Sequence, residues 1–305
     1  MIIKKEKKDD ITIYYLEKDI SDEKMNKYVN TFVKPSQINL IIDDDTDVYT
    51  KEGKLLLKFR KNKLPEKDIN EFYENVKNFV VKKTRNRGSA TGSKSKSVYE
   101  NPEIMTNILG YFDKFAPNQK VYLRKLNKKI PNVRETQFVM DYPEKFKKLF
   151  PFVKDIDKLY EKYIPDKYEK QKKKANQTPF KIANTSFTTI TTNVNFQTTI
   201  HKDAGDDIEG FGNLSVIEKG KYTGGETCLP QYGVGVNVRT KDILFMDVHE
   251  WHGNLPIKLE EKDAKRLSIV CYLRKNVWEN SKHKTKKFMI RHNKTIKKIR
   301  SNKKE

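Results

Sequence analysis

The sequence predicts an α+β protein in which helices pack around a C-terminal antiparallel β-sandwich or barrel. Three observations carry that expectation. From Thr185 onward, short β-branched and aromatic runs recur (SFTTITTNVNFQTTIH, NLSVIE, ETCLP, VGVNV, DILFMDV, RLSIVCYL), separated by Gly, Pro, Asn and Asp. Upstream, Ile69, Phe72, Val76 and Phe79 fall on one face of a helix predicted over 65–83. Aromatic residues make up 11% of the 305-residue chain, enough to build a core although 34% of residues are charged.

In chain order, Ile11, Ile13 and Tyr15 alternate like a short strand, and Asp22 opens a helix expected to run through Phe32. Gln37 to Ile42 and Gly53 to Phe59 read as strands. After the 65–83 helix comes RNRGSATGSKSKS, residues 85–97, a basic Gly/Ser-rich loop. Residues 140–174 form a second helical region ending in the charge run EKQKKKANQ. Gly224-Gly225-Glu226 reads as a hairpin turn, and Asp206 and Asp207 as part of a solvated loop. No repeat of 20–50 residues is present.

Composition removes several classes. No run approaches the ~18 apolar residues of a membrane helix, and the N-terminus is charged from Lys4, without a signal-peptide apolar stretch. Cys228 and Cys271 are too few for a disulfide framework and read as small buried residues. The expectation is an intracellular, soluble, monomeric protein with no membrane association. The net charge is +22, from 63 Lys+Arg against 41 Asp+Glu. A field of that sign attracts polyanions, nucleic acid first. Only ten of the cations are Arg, however, a bias that an AT-rich genome produces unaided. Residues 281–305 hold eleven Lys/Arg against Glu305 alone, and such a tail either binds phosphates or is a solvated end.

His201 and Asp203 end a strand-like run and, two residues apart, point to one face. His249 and His252 follow the predicted strand 242–248; His252, preceding a Gly-containing turn, is favoured as a third ligand. Two His and a carboxylate on one face of an octahedron leave three positions open, the arrangement of non-haem Fe(II) oxygenases; the same set also serves zinc in hydrolases. Fourteen residues on, RLSIVCYLR alternates cleanly, placing Arg266, Ser268, Val270, Tyr272 and Arg274 on one face. An Arg on the inner face of such a strand requires an anion. That anion is either a structural carboxylate or the distal carboxylate of 2-oxoglutarate, with the Ser268 hydroxyl beside it. Combined with the His and Asp pattern, the cosubstrate is the favoured reading.

These motifs resemble the TET/JBP family of 2-oxoglutarate/Fe(II)-dependent nucleic-acid base dioxygenases, nearest the branch of JBP-like thymine hydroxylases. The resemblance runs through HKDAGD at 201–206, FGNL at 211–214 and DVHEWH at 247–252, with NRGSATG at 86–92 and RETQF at 134–138 upstream. It implies a double-stranded β-helix (jelly-roll) core flanked by helices, placed at 81–280 between an N-terminal α/β extension (1–80) and a basic C-terminal tail (281–305). It implies Fe(II) held by His201, Asp203 and His252, 2-oxoglutarate anchored by Arg266 and Ser268, O2 as co-oxidant, and Arg87 as a contact to cosubstrate or DNA. The implied activity is hydroxylation of the C5-methyl of thymine or 5-methylcytosine in DNA, or in RNA, on a base flipped from the stack, with Tyr232 and Trp251 as stacking candidates. A hydroxylase of a protein side chain is the alternative. A nuclear or viral setting fits the Lys-rich composition. The Cys-rich zinc module of animal TET proteins has no counterpart in this sequence, and neither does a separate J-binding domain.

Overall fold

The structure, a computed structural model, describes residues 1–95, 97–115, 120–121, 123–124 and 130–301. The chain divides into two compact units: residues 1–107, 192–204 and 211–270 form one, and residues 108–191, 205–210 and 271–305 the other. Among the described residues no helix is long and apolar enough to cross a membrane.

The strands are β1 (Ile2–Lys8), β2 (Ile11–Leu16), β3 (Leu40–Ile42), β4 (Thr46–Thr50), β5 (Leu55–Arg60), β6 (Met105–Phe112), β7 (Arg134–Glu135) and β8 (Thr189–Val194). They continue with β9 (Gly212–Lys219), β10 (Tyr222–Gly224), β11 (Thr227–Leu229), β12 (Val234–Val236), β13 (Ile243–Met246), β14 (Gly253–Asn254), β15 (Ile257–Leu259) and β16 (Lys265–Tyr272). In the first unit one sheet runs in the order β1-β2-β4-β5-β13-β9-β16. A second sheet runs β14-β11-β12-β3. Between them lies a core to which both contribute: Val48, Leu57, Phe59, Val216, Leu244 and Met246 from one, Ile42, Leu229, Val234 and Val236 from the other. This two-sheet sandwich is the jelly-roll core, and each strand is hydrophobic inward because that is the face it buries. The strands β2, β4 and β5 extend the same sheet through antiparallel pairing of β5 with β13.

Helix α2 (Glu66–Val80) starts at Pro65 with Glu66 and Asp68 in its first turn, where they complement the helix dipole. It buries Ile69, Phe72, Val76 and Phe79, the predicted face. Helix α1 is shorter than expected: it starts at the Ser21 cap and ends at Asn26. The following residues leave the helix to pair with the chain before His201, through Asn30 N–H to the Ile200 carbonyl, Ile200 N–H to the Thr31 carbonyl and a Phe32–Thr199 bridge. Tertiary pairing overrides helix propensity there. The predicted strand 37–42 is reduced to β3, because Pro35–Gln37 forms a 3-10 turn. Strands β1 and β4 were not foreseen.

Gly224-Gly225-Glu226 is a crossover rather than a hairpin turn. β10 pairs with β15, whereas β11 pairs with β12 and β14. Both glycines take positive φ, 76° and 80°, and a Cβ on Gly225 would lie 2.9 Å from the Arg266 side chain.

The second unit is mainly helical: α3 (Gln137–Asp141), α4 (Pro143–Lys148), α5 (Phe150–Tyr163), α6 (Pro165–Asn176), α7 (Lys275–Ser281) and α8 (Lys286–Ser301). Tyr160 stacks on Phe187 and meets Tyr168 edge-on in its interior. The buried Asp157 accepts hydrogen bonds from the Ser186 N–H and hydroxyl and pairs with Lys172. Asp207 is not solvated as expected; it is buried and ion-paired to Lys174, and Asp206 pairs through its backbone with Arg274 in an isolated β-bridge. The expected basic tail is largely helix α8, with residues 302–305 outside the described range.

The core makes a direct test. Phe72→Ala removes a fully buried ring from α2 and is expected to cost about 3–5 kcal/mol of stability, read as a lowered midpoint in chemical denaturation. Tyr99→Ala, at an 85% exposed position, is expected to leave the midpoint unchanged.

Candidate active site

His201 and His252 face each other across a bridge of two backbone hydrogen bonds. The His201 N–H donates to the His252 carbonyl and the His252 N–H to the His201 carbonyl, each at 2.9 Å. The reciprocal pair brings the imidazoles together, with ring centroids 4.4 Å apart. Asp203, two residues on and on the same face, is tied by its own N–H to the Val248 carbonyl at 3.0 Å. Its carboxylate oxygens lie 3.6 Å from His201 Nε2 and 3.9 Å from His252 Nε2. One ligand atom from each of the three lies within 4.8 Å of the others. His249 is not a member of this group.

The tautomers are fixed by the backbone. His201 Nδ1 sits 2.7 Å from the Thr199 carbonyl and His252 Nδ1 3.0 Å from the Glu250 carbonyl. A carbonyl only accepts, so both Nδ1 atoms carry a proton and Nε2 is the ring atom that each histidine turns toward Asp203. Burial disfavours the His201 imidazolium, but the hydrogen bond and charge of Asp203 outweigh it and raise the pKa. Burial also opposes ionisation of Asp203, yet the His201 hydrogen bond and the positive charges of His252, His201 and Arg87 hold its carboxyl at about 2. Burial, reinforced by His201, pushes His252 down to about 4. Near neutral pH, Asp203 is therefore an anion and His252 a neutral donor, the protonation states a metal ion requires.

Arg266 enters from β16. It is 4% exposed, its Nη2 has no hydrogen-bond partner, and among the described residues it has no ion pair. The carboxylate opposite it in register, Glu218, is engaged by Arg239 at 3.2 Å and by the Thr240 N–H at 2.7 Å. The structural-carboxylate alternative is thus not met. Burial lowers the Arg266 pKa, and leaving such a charge unpaired costs about 3–5 kcal/mol. The Tyr222 hydroxyl is buried in the same unit, and the Arg239 guanidinium lies 4.7 Å from its ring. A buried guanidinium without a counter-ion fits a carboxylate. Ser268 lies further along the same strand face, and its Oγ accepts from Asn193 Nδ2 at 3.4 Å.

Sequence reasoning missed Asn195, which has left-handed backbone (φ 49°). Its Oδ1 accepts from the Arg266 N–H at 2.7 Å, its own N–H donates to the Arg266 carbonyl at 3.0 Å, and its Nδ2 donates to the Ala264 carbonyl at 2.9 Å. One side chain thereby links the segment leading to His201 with the strand carrying Arg266. Tyr222 and Gly225 were also missed. Arg87 begins the turn Gly88–Thr91, whose Ser89 and Ala90 carbonyls accept from the Thr199 hydroxyl and N–H. Tyr232 is 5% exposed inside the core cluster, so it presents no ring to a base. Trp251 is half-buried against Met25, Val33 and Ile200, with the Lys202 ammonium 4.9 Å from its ring.

A model of the TET/JBP family, described as the oxygenase domain of the 2OGFeDO superfamily, matches residues 121–275. The chain belongs to the TET/JBP family. It therefore carries an oxygenase domain of the 2-oxoglutarate/Fe(II) type, and the zinc-hydrolase alternative falls. The thymine dioxygenase JBP1 of Trypanosoma brucei brucei is 32% identical over 171 residues, 55% of this chain and 19% of that protein. The bifunctional helicase and thymine dioxygenase JBP2 of Trypanosoma cruzi (strain CL Brener) is 34% identical over 175 residues, 57% of this chain and 15% of that protein. The chain thus spans about a fifth or less of the curated relatives it matches. In fold it is similar to NgTET1 in complex with 5mC DNA, with a TM-score of 0.50 at 14% identity, covering 90% of this chain and 99% of that one.

Two outcomes test the site. Asp203→Ala is expected to bring Fe(II) stoichiometry close to zero by elemental analysis after anaerobic loading, whereas His249→Ala loads normally. Asn195→Ala is expected to weaken 2-oxoglutarate binding about five- to thirty-fold, as for loss of one or two buried hydrogen bonds, while iron stoichiometry is retained; equilibrium dialysis reads both.

Proposed function

We propose that the protein hydroxylates the C5-methyl group of a pyrimidine, thymine or 5-methylcytosine, in DNA. The observation that carries this reading is the pairing of the His201, Asp203 and His252 group with the orphaned Arg266 in one unit of a TET/JBP oxygenase chain. The names of the relatives, thymine dioxygenases and a complex with 5mC DNA, support a methylated pyrimidine as substrate.

His201 and His252 would hold iron through Nε2 and Asp203 through its carboxylate, on one face, leaving the opposite positions open. Arg266, with Tyr222 and Ser268 nearby, would take the distal carboxylate of 2-oxoglutarate in a paired, buried contact. Bound Fe(II), with 2-oxoglutarate and O2, supplies the oxidising power for attack on an unactivated C–H bond. The chain's own work is positional. The His201–His252 bridge fixes the imidazoles, and Asn195 fixes the strand position of Arg266. His252 and Arg266 are themselves buried from water. A methyl group within a duplex cannot enter such a site, so the base leaves the stack at a cost of a few kcal/mol. Arg87 would take a phosphate or cosubstrate oxygen, a reading supported by the effect of its charge on Asp203 and His201. All of these side chains come from one unit of one chain, which supports a monomeric catalyst.

The test is to load the protein anaerobically with Fe(II) and 2-oxoglutarate, admit oxygen, and digest thymine-containing and 5-methylcytosine-containing DNA for nucleoside mass spectrometry. Expected are a hydroxymethyl pyrimidine and one succinate per hydroxylation, both absent with His201→Ala. Hydroxylated residues in a peptide pool, with none in either DNA, would replace this reading by the side-chain hydroxylase.

A further inference from the structure

Helix α8 lies in the second unit and carries none of the residues assigned above. Its inner face is docked. His292 donates from Nε2 to the Val133 carbonyl at 2.6 Å, and Asn293 donates to Glu135 at 3.0 Å. Ile296 and Ile299 are buried with Phe115 and Leu123, and Phe288 and Met289 pack on Tyr111, Val133, Phe180 and Val277. The outer face is cationic. Lys287, Arg291, Lys294 and Lys298 are exposed and recur at steps of four, three and four, which places them within an arc of about 60° over roughly 16 Å of axis. Lys286 and Lys297 flank them, Lys297 reaching Glu135 at 3.8 Å. The sequence has no Asp or Glu between Glu279 and Glu305.

The neighbouring helices show that this is not the chain's general Lys richness. Helix α5 alternates Lys154, Asp155, Asp157, Lys158, Glu161 and Lys162, and α6 opens with Asp166, Lys167, Glu169 and Lys170. On α5 three lysines meet three acids, and the excess lysines of α6 are partly taken up from outside the helix, Lys172 by Asp157 and Lys174 by Asp207 and Glu209; α8 carries no acid of its own. A duplex presents about one phosphate charge per 1.7 Å of its axis, so a cation row about 16 Å long meets several. A membrane surface is the other common polyanion. An amphipathic helix binds it by burying its apolar face among the lipids, and here that face is already buried in protein.

We propose that the outer face of α8, centred on Lys287, Arg291 and Lys294, is a second DNA-binding surface that holds the duplex through its phosphates without reading sequence. This rests on DNA being the substrate. The surface would retain the duplex between encounters with the oxygenase site, the role phosphate contacts play in non-specific binding.

The experiment compares the full chain, loaded with Fe(II) and 2-oxoglutarate, with two triple variants that remove equal charge: Lys287→Gln/Arg291→Gln/Lys294→Gln on α8, and Lys4→Gln/Lys7→Gln/Lys8→Gln on β1. Duplex affinity is measured by fluorescence anisotropy across a KCl series, and hydroxymethyl product by nucleoside mass spectrometry. The α8 variant is expected to bind at least tenfold more weakly and to lower the slope of log affinity against log salt by about 2–3, near 0.9 for each phosphate that is no longer neutralised. The β1 variant is expected to change the slope by less than 1. Equal effects of the two variants would overturn the surface and leave only the overall field of the protein. An unchanged duplex affinity, with loss of binding to phosphatidylserine vesicles, would overturn it in favour of lipid. Product formed by the unmodified chain, with slopes alike in all three proteins, overturns the surface alone. A slope loss confined to the α8 variant, with no product from any DNA, leaves the surface standing and overturns the pyrimidine reading.

Discussion

The site depends on one small piece of backbone pairing. His201 and His252 exchange both their N–H groups and their carbonyls across a single bridge. Residues directly opposed in an antiparallel pair project their side chains to the same side, so the bridge alone places two imidazoles next to each other. Pleating then returns Asp203 to the same face as His201. The remaining freedom, ring rotation, is removed by the Thr199 and Glu250 carbonyls that accept from each Nδ1. A three-ligand face thus follows from the backbone register and two carbonyls. A one-residue slip would turn every ligand to the other side, and the pairing of Asn30 and Phe32 with the chain at Thr199 and Ile200 resists that slip from the opposite edge.

Arg266 shows a different balance. Its burial without a counter-ion is unfavourable in isolation, and the fold supports it by other means: hydrogen bonds exchanged between Asn195 and its backbone, antiparallel pairing of β16 with β9, and a glycine at 225 where any side chain would strike its Cδ and Nε. Destabilisation tolerated in the free protein becomes affinity once an anion arrives, because the guanidinium then has nothing to release except the cost of its isolation. The neighbouring Arg239 and Glu218 satisfy each other, which keeps the carboxylate on the opposing strand from quenching the anchor.

Much of this was legible in the residues. Period-two alternation in RLSIVCYL separated the face of Arg266 and Ser268 from that of Leu267, Ile269 and Cys271, and β16 buries both. The two-residue spacing of His201 and Asp203 carried the same information. What was not legible depended on pairing between distant segments. Helix α1 stops early because the chain beyond it pairs near His201, a reward invisible to local propensity. Asp207 was misread as solvated since its partner, Lys174, lies 33 residues away in sequence. Asn195 looks like one more polar residue in a Thr- and Asn-rich strand, and only its left-handed backbone and three bonds reveal its task. Gly224 and Gly225 read as a turn because glycine pairs usually are, whereas here they change sheets.

The high positive charge is the hardest feature to interpret from composition, and its distribution resolves it better than its size. Cations that alternate with acids, as on α5, form local pairs that contribute little to stability and cancel at a distance. Others are taken up individually: Lys174 by Asp207 and Glu209, Lys54 by Asp247 and Glu250. A helix that buries its apolar face and aligns its cations on the other has no such internal compensation, and the free energy of the resulting field falls only when counter-ions or a polyanion approach. Two uncompensated positive features therefore stand out by the same physical criterion. The Arg266 guanidinium, buried and suited to one small carboxylate, would provide selectivity. The α8 row around Lys287, Arg291 and Lys294, solvated and suited to a repeating phosphate chain, would provide retention that weakens with salt.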